Sequence, residues 1–336
     1  MAIAVVLFHC GVGWSYNVAV SGVTFFFLSS AFLLAMRHPV RRLTARGYRS
    51  FVLGHAMRLY PLHWLGLALL LLIALSLTAM PIDWPATALS ALLLHAWSPV
   101  HDVHYGINPV AWYMSALLFC YAVYPLVACW LHRWRLRGKL LLAVALAMAL
   151  AVVMWPLDIH GREAVFVNPL SHVADLVAGI ALCHLCAVAK SRWPRLRPGV
   201  ATLVEVSVLL LLAAVIALNV CTTWVRPWED DVLWLVPQGA ILVALAWLDG
   251  QSGSIGSLLS IKPLQWLGSI SFEMFALQFV AFHLFDFVIA PVAGHFGLDI
   301  YDGLAWCALP LLVLISWVVN RCFTRPVMAL TKQYFS

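Results

Sequence analysis

Residues 20–36 read VSGVTFFFLSSAFLLAM, and Arg37 follows at once. Seventeen uncharged residues closed by a cation are just enough for a helix to cross the roughly 30 Å of bilayer hydrocarbon. The stretch reads as a membrane span, and the composition extends that reading to the whole chain. Of its 336 residues 64% are hydrophobic and only 10% charged, with a mean hydropathy of +0.94. Such a chain lacks the polar surface that a soluble globule needs.

Working outward, apolar runs of comparable length lie near 1–13, 20–36, 61–80, 109–131, 139–156, 169–189, 200–220, 232–248, 264–290 and 303–322. The expected fold is therefore an all-α integral membrane protein of about ten transmembrane helices, in one membrane-embedded domain over 1–336. A twelve-residue stretch, ATALSALLLHAW (86–97), is too short to span. It reads as interfacial or re-entrant.

Charge orients the bundle. With the N-terminus in the cytoplasm, the loops at 37–60, 132–139, 190–199 and 249–263 and the C-terminal tail all lie inside. They hold eighteen of the twenty Lys and Arg, leaving Arg162 and Arg226 outside. Asp83, Asp102, Asp158, Glu163, Glu229, Asp230, Asp231, Asp299 and Asp302 fall in the outer loops. This asymmetry is the positive-inside bias, and it puts both termini in the cytoplasm. The net charge of +6 is thus a topology signal, and no nucleic-acid partner is expected.

The eight cysteines show no pairing pattern of a disulfide framework. CHLC (183–186) and HDVH (101–104) have metal-like spacing, but the first sits in an apolar helix and the second is a short loop. No metal site is expected. Polar groups inside a membrane are costly, which makes them candidates for chemistry: His9, Ser29, Ser30, Ser115, His172, Asp175, Glu205, Glu273, Gln278 and His283. A serine there commonly bonds its own helix. His9, in the apolar run AIAVVLFH, is expected neutral and able to accept a proton, as a general base must. His172 and Asp175, three residues apart, share a helix face and would bind an acceptor or satisfy each other. Glu273 is expected near mid-bilayer, protonated or paired with His283 or Gln278.

Seven stretches occur in order: AIAVVLFH (2–9), GVTFFFLSSAFLL (22–34), MRLYPLHW (57–64), INPVAWYMSALLFCYAVYP (107–125), NPLSHVADLVAGI (168–180), KPLQWLGSISFEMFALQ (262–278) and NRCFTRP (320–326). Together they resemble the acyltransferase-3 family of integral membrane acyltransferases. The resemblance implies about ten helices and transfer of an acyl group, most often acetyl from acetyl-CoA, to hydroxyls of envelope or exported glycans. It implies a multi-pass protein of the plasma (inner) membrane, with no tightly bound cofactor and with acyl-CoA as donor. It also makes His9 the counterpart of the family's catalytic first-helix histidine.

Gly22, Phe26, Phe27, Ser30 and Phe32, then Arg58, Tyr60 and Pro61, then Trp112, Ser115, Tyr121 and Pro125 match family patterns. Ala31 stands where glycine is usual, Leu117 and Leu118 where acids are common, Phe275 for tyrosine and Gln278 for histidine. The family's arginine eleven residues before the histidine would precede Met1. The short first run is therefore expected to continue upstream, or else to be a tilted, mismatched helix.

On this reading His9 deprotonates the acceptor, and Ser30 or Ser115 orients groups or stabilises the oxyanion. A covalent acyl relay on histidine or serine is a variant. Arg58 contacts donor phosphates, with Tyr60 and Arg49 beside it. Trp112, His172, Asp175, Glu273 and Gln278 form the acceptor side. A glycan or lipid-intermediate transporter and an inactive partner subunit are the alternatives; acyl-CoA turnover separates the enzyme from both.

Overall fold

The computed structural model describes residues 2–11, 16–78, 81–221, 232–249, 254–296 and 304–335, and no strand occurs among them. Arg226, Glu229, Asp230, Asp231, Asp299 and Asp302, assigned above to outer loops, lie outside the described residues, as do 12–15 at the end of the first run.

In chain order the helices are α1 (Ala2–His9), α2 (Tyr16–Arg37), α3 (Ala45–Ile73, prolonged by a π turn Ala74–Thr78), α4 (Trp84–Ala91), α5 (His101–Tyr105), α6 (Ala111–Leu131), α7 (Leu136–Met154), α8 (Ile159–Val167) and α9 (Val173–Arg192). They continue with α10 (Pro198–Cys221), α11 (Val232–Leu248), α12 (Ser254–Leu259), α13 (Lys262–Ser269), α14 (Ser271–Leu284), α15 (Ala290–His295), α16 (Leu304–Val319) and α17 (Arg325–Phe335). Among the described residues eight helical segments are long and apolar enough to cross a membrane. The shorter α1 and α11, of 8 and 17 residues, occupy the other two apolar runs. The protein is an all-α integral membrane protein.

Two boundaries differ from the sequence reading. The stretch 37–60 is helical from Ala45 onward, because Thr44 Oγ1 accepts the Gly47 N–H and starts α3 well before the apolar run that begins near residue 61. Arg46, Arg49 and Arg58 therefore stand on a helix. The run 264–290 is likewise interrupted between α13 and α14 at Ile270. Glu273 consequently lies in the first turn of α14, not mid-helix.

The core gathers α1, α2, α3, α6, α14 and α16 around Val6, Phe27, Met114, Leu277, Phe285 and Leu312. A second cluster joins α2, α6, α7 and α9. The α2–α9 crossing is close because residue 179 is glycine: a Cβ there would lie 2.5 Å from Ala31 Cβ and 2.8 Å from the Leu28 carbonyl oxygen. Without a hydrophobic drive between helices in lipid, such small-residue contacts supply the packing that holds spans together.

The stretch 86–97 is re-entrant. Asp83 caps α4, accepting the Ala86 N–H at 2.9 Å, and the chain dips and returns through Leu93 at φ 55°. The last carbonyls of a helix have no partner within it, and in lipid none can come from water. Here the walls supply the donors: Tyr60 O–H to Leu92 O at 2.9 Å, His63 Nε2–H to Ser90 O at 2.8 Å, Trp64 Nε1–H to Ala91 O at 2.9 Å, and Ser115 Oγ–H to Leu93 O. The outer face of the dip, with Trp84, Leu89, Leu92 and Trp97, is exposed. This is the composition a lipid-facing surface requires.

Candidate functional site

His9 ends α1, and its ring sits on the wall of a chamber of about 420 Å³ bounded by Val5, Ala19, Tyr105, Trp112, Glu163 and Phe275, among others. The ring is held by α14. Gln278 Nε2–H donates to the Phe275 carbonyl at 3.0 Å, which fixes the orientation of the amide. Its Oε1 is then the atom 3.0 Å from His9 Nδ1. An amide oxygen can only accept, so the proton of the neutral imidazole belongs on Nδ1 and the lone pair on Nε2.

The Val5 carbonyl, one turn back, is a further acceptor for the ring. In a helix Nδ1 is the atom that reaches such a carbonyl, as His55 Nδ1–H reaches Phe51 O at 2.8 Å. Phe279 packs edge-on against the His9 ring with centroids 5.4 Å apart.

Of the residues singled out by sequence, His9, Trp112 and the Gln278 bond meet at this chamber. Trp112 also packs on Phe166 and, stacked, on His172. His172 lies behind that wall, stacked on Phe27 at 3.7 Å. Its Nε2–H donates to Phe166 O at 2.9 Å, while its Nδ1 lies 2.9 Å from Asp175 Oδ2, within hydrogen-bond distance. Both side chains are essentially inaccessible, at 1% and 0% exposure; the pair stands at the start of α9, and Asp175 Oδ1 has no hydrogen-bond partner among the described residues.

Ser30 hydrogen-bonds the Tyr113 side chain and borders a gap of about 10 Å³ with Cys120 and His172, roughly the room of one water. Ser115 and Tyr60 are committed to the carbonyls of the re-entrant turn, as described above.

Glu273 does not pair with His283 or Gln278. Its Oε1 accepts from Asn320 Nδ2 at 2.8 Å, and Asn320 Oδ1 in turn accepts from Arg325 Nε at 2.9 Å. The last π turn, Asn320–Thr324, carries the asparagine between acid and cation. Glu205 accepts the Gly256 N–H at 2.9 Å and so anchors α12 to α10.

At the arginine-rich end, Arg58 is exposed above a cluster in which Phe51, His55, Tyr121 and Tyr124 stack against one another. His38, on the loop beyond α2, is held below the ordinary histidine range by burial first and by the Arg58 and Arg37 cations second. That end presents positive potential to an anion. Arg49 is exposed on the same helix.

Sequence reasoning missed Asn320, Phe279, Tyr105 and Glu163. Nothing in local spacing ties the outer-loop acid Glu163 to a first-helix histidine, or Asn320 to Glu273; only the fold joins them. Among the described residues no group of three or more metal-ligating side chains is arranged to hold an ion.

A family model described as an acyltransferase domain, acyltransferase-3, matches residues 1–321. No curated protein and no solved structure matches the chain.

Proposed function

The chain belongs to the acyltransferase-3 family and is thus a membrane acyltransferase; from that premise we propose that it moves an acyl group, foremost acetyl, from cytosolic acyl-CoA to a hydroxyl of an envelope or exported glycan. The whole chain acts as one domain in the inner membrane, with the arginine-rich end inside. The observation that carries the reading is the His9–Gln278–Phe275 chain of hydrogen bonds, which leaves Nε2 of a chamber-lining histidine as the unprotonated nitrogen.

In the reaction His9 Nε2 removes the acceptor hydroxyl proton as that oxygen attacks the thioester carbonyl. A C–O ester bond forms, the C–S bond breaks, and the proton passes to the departing thiolate, giving an ester and free CoA thiol. Arg58 takes donor phosphate oxygens, since a guanidinium fork matches them, with Arg49 adding charge on the same helix. Tyr60 serves by fixing the re-entrant turn beside Arg58. Ser30, through Tyr113, orients the middle of the path between donor and His9.

On the acceptor side Trp112 offers an aromatic face to a sugar. The His172–Asp175 pair keeps that face in position, and Ser115 braces the turn opposite it. Glu273 holds Arg325, through Asn320, at the donor end.

The test is acyl release from acetyl-CoA labelled in the acetyl group, by protein purified into nanodiscs. Wild type should release label and the His9→Ala variant should not, at unchanged melting temperature. A His9→Ala variant as active as wild type would overturn the assignment.

A further inference from the structure

A second and larger cavity, of about 610 Å³, adjoins the His9 chamber and shares His101, Tyr105 and Pro109 with it as a common wall. Phe279, whose ring packs on His9, lines this second cavity. Its body is hydrocarbon, formed by Leu70 and Ile73 of α3, Ala74 of the π turn, Ile82 just before α4, Ala86 within it, and Ile107. Asp83, Asp102 and His101 stand at its margin. The volume is in the range of small-molecule sites, about 300–1,000 Å³.

Its depth is fixed by its neighbours. On the outside of the same stretch of α3, Leu72 and Leu75 are exposed, and beyond Phe279 and His283 so are Phe287, Val288 and Val292. Such rows belong in lipid, so the apolar part of the cavity stands level with lipid-facing surface, at the end of the bundle where Asp83, His101 and Asp102 lie. The donor's phosphates have their cations at the opposite end, around Arg58 and Arg325. An apolar ligand here therefore comes with the acceptor.

We infer that this cavity holds the hydrocarbon chain of a lipid-linked acceptor, whose polar head reaches past Tyr105 to His9. The inference rests on the acyltransferase reading above. An apolar cavity at this depth is costly to leave to water and favourable to fill with methylenes, at about 0.8 kcal/mol for each one buried. The shared wall of His101, Tyr105 and Pro109 is the boundary at which the chain ends and the head group begins. A ligand of this kind would be fixed at both ends, which is how remote binding positions a reacting hydroxyl.

The experiment is photolabelling of the nanodisc-embedded protein with a dodecyl β-D-glucoside bearing a diazirine at the chain terminus, mapped by mass spectrometry. Label is expected on peptides containing 70–74 and 82–87. It should fall about tenfold in Ala86→Phe and in Ile107→Trp, which fill the cavity from two walls, while label on lipid-facing Leu72 and Leu75 stays constant. A melting temperature within a few degrees of wild type shows that each variant is folded. Cavity label that is no stronger than that on Leu72 and Leu75, or that persists in both folded variants, overturns the inference. This readout needs no turnover, so its failure is distinct from loss of acyl release in the His9 assay.

Discussion

Replacing Gln278 by leucine tests whether the tautomer of His9 matters. In the resting enzyme Gln278 Oε1 accepts a neutral Nδ1–H at 3.0 Å, a bond worth about 1 kcal/mol net. In the proposed mechanism Nε2 takes the acceptor's proton and the ring becomes an imidazolium, so the same bond becomes charge-assisted, worth about 1.5–3 kcal/mol. Only the difference, about 0.5–2 kcal/mol, lowers the barrier. Its loss predicts a two- to thirtyfold fall in kcat, with KM for acyl-CoA unchanged, since the proposed phosphate site at Arg58 is at the other end. Gln278→His, the residue more usual at this position in the resembling family, should retain most of the activity.

The assay is steady-state acyl release in nanodiscs, paired with ¹⁵N-histidine NMR. His9 should show a protonated Nδ1 and a bare Nε2 in wild type, and a smaller share of that tautomer in Gln278→Leu, where the Val5 carbonyl alone holds the Nδ1–H. A Gln278→Leu enzyme with wild-type kcat, or a wild-type spectrum with the proton on Nε2, refutes the reasoning.

Two other predictions concern the scaffold. Gly179→Ala puts a methyl 2.5 Å from Ala31 Cβ, so α2 and α9 must part. A loss of about 1–3 kcal/mol is expected, read as a lowered midpoint in denaturant titration, and an unchanged midpoint would show that the crossing is not tight. His104, on α5, is held below the ordinary histidine range chiefly by burial; its bond to the Ser98 carbonyl opposes the shift, His101 adds to it, and Glu163 and Asp102 oppose it. The neutral ring is thus the stabilising form. Its contribution is complete above the unfolded value near 6.5 and is lost as pH falls below it, by up to about 1.4 kcal/mol per pH unit. Melting temperature should therefore drop less between pH 7 and pH 5 in His104→Gln than in wild type; equal drops would remove His104 from the account.

Hydropathy and charge placed the spans and marked 86–97 as a segment that cannot cross, because spanning is a local demand. Each helix must hide its own backbone in lipid, and runs such as 20–36 announce that along the chain. His9 was legible for the same reason, as a polar group at a cost within an apolar run. The α3 boundary was not, since Thr44 and a basic first turn start the helix before the apolar run begins.

What His9, Gln278 and Glu273 do depends on partners far away in sequence. Gln278 lies 269 residues from the histidine it orients, and Asn320 lies 47 residues from Glu273. A residue type states which bonds it can make, but the choice among them follows from which helix faces come to lie together. Tyr60 and Ser115 show this most plainly. By pattern they match family positions, and the dip of the re-entrant segment gives them its stranded carbonyls as partners. The sequence by itself determined that this chain must be a bundle of helices in a membrane. Which polar groups answer one another inside it is set by the tertiary structure, because a buried donor or acceptor can take only a partner that packing brings within reach.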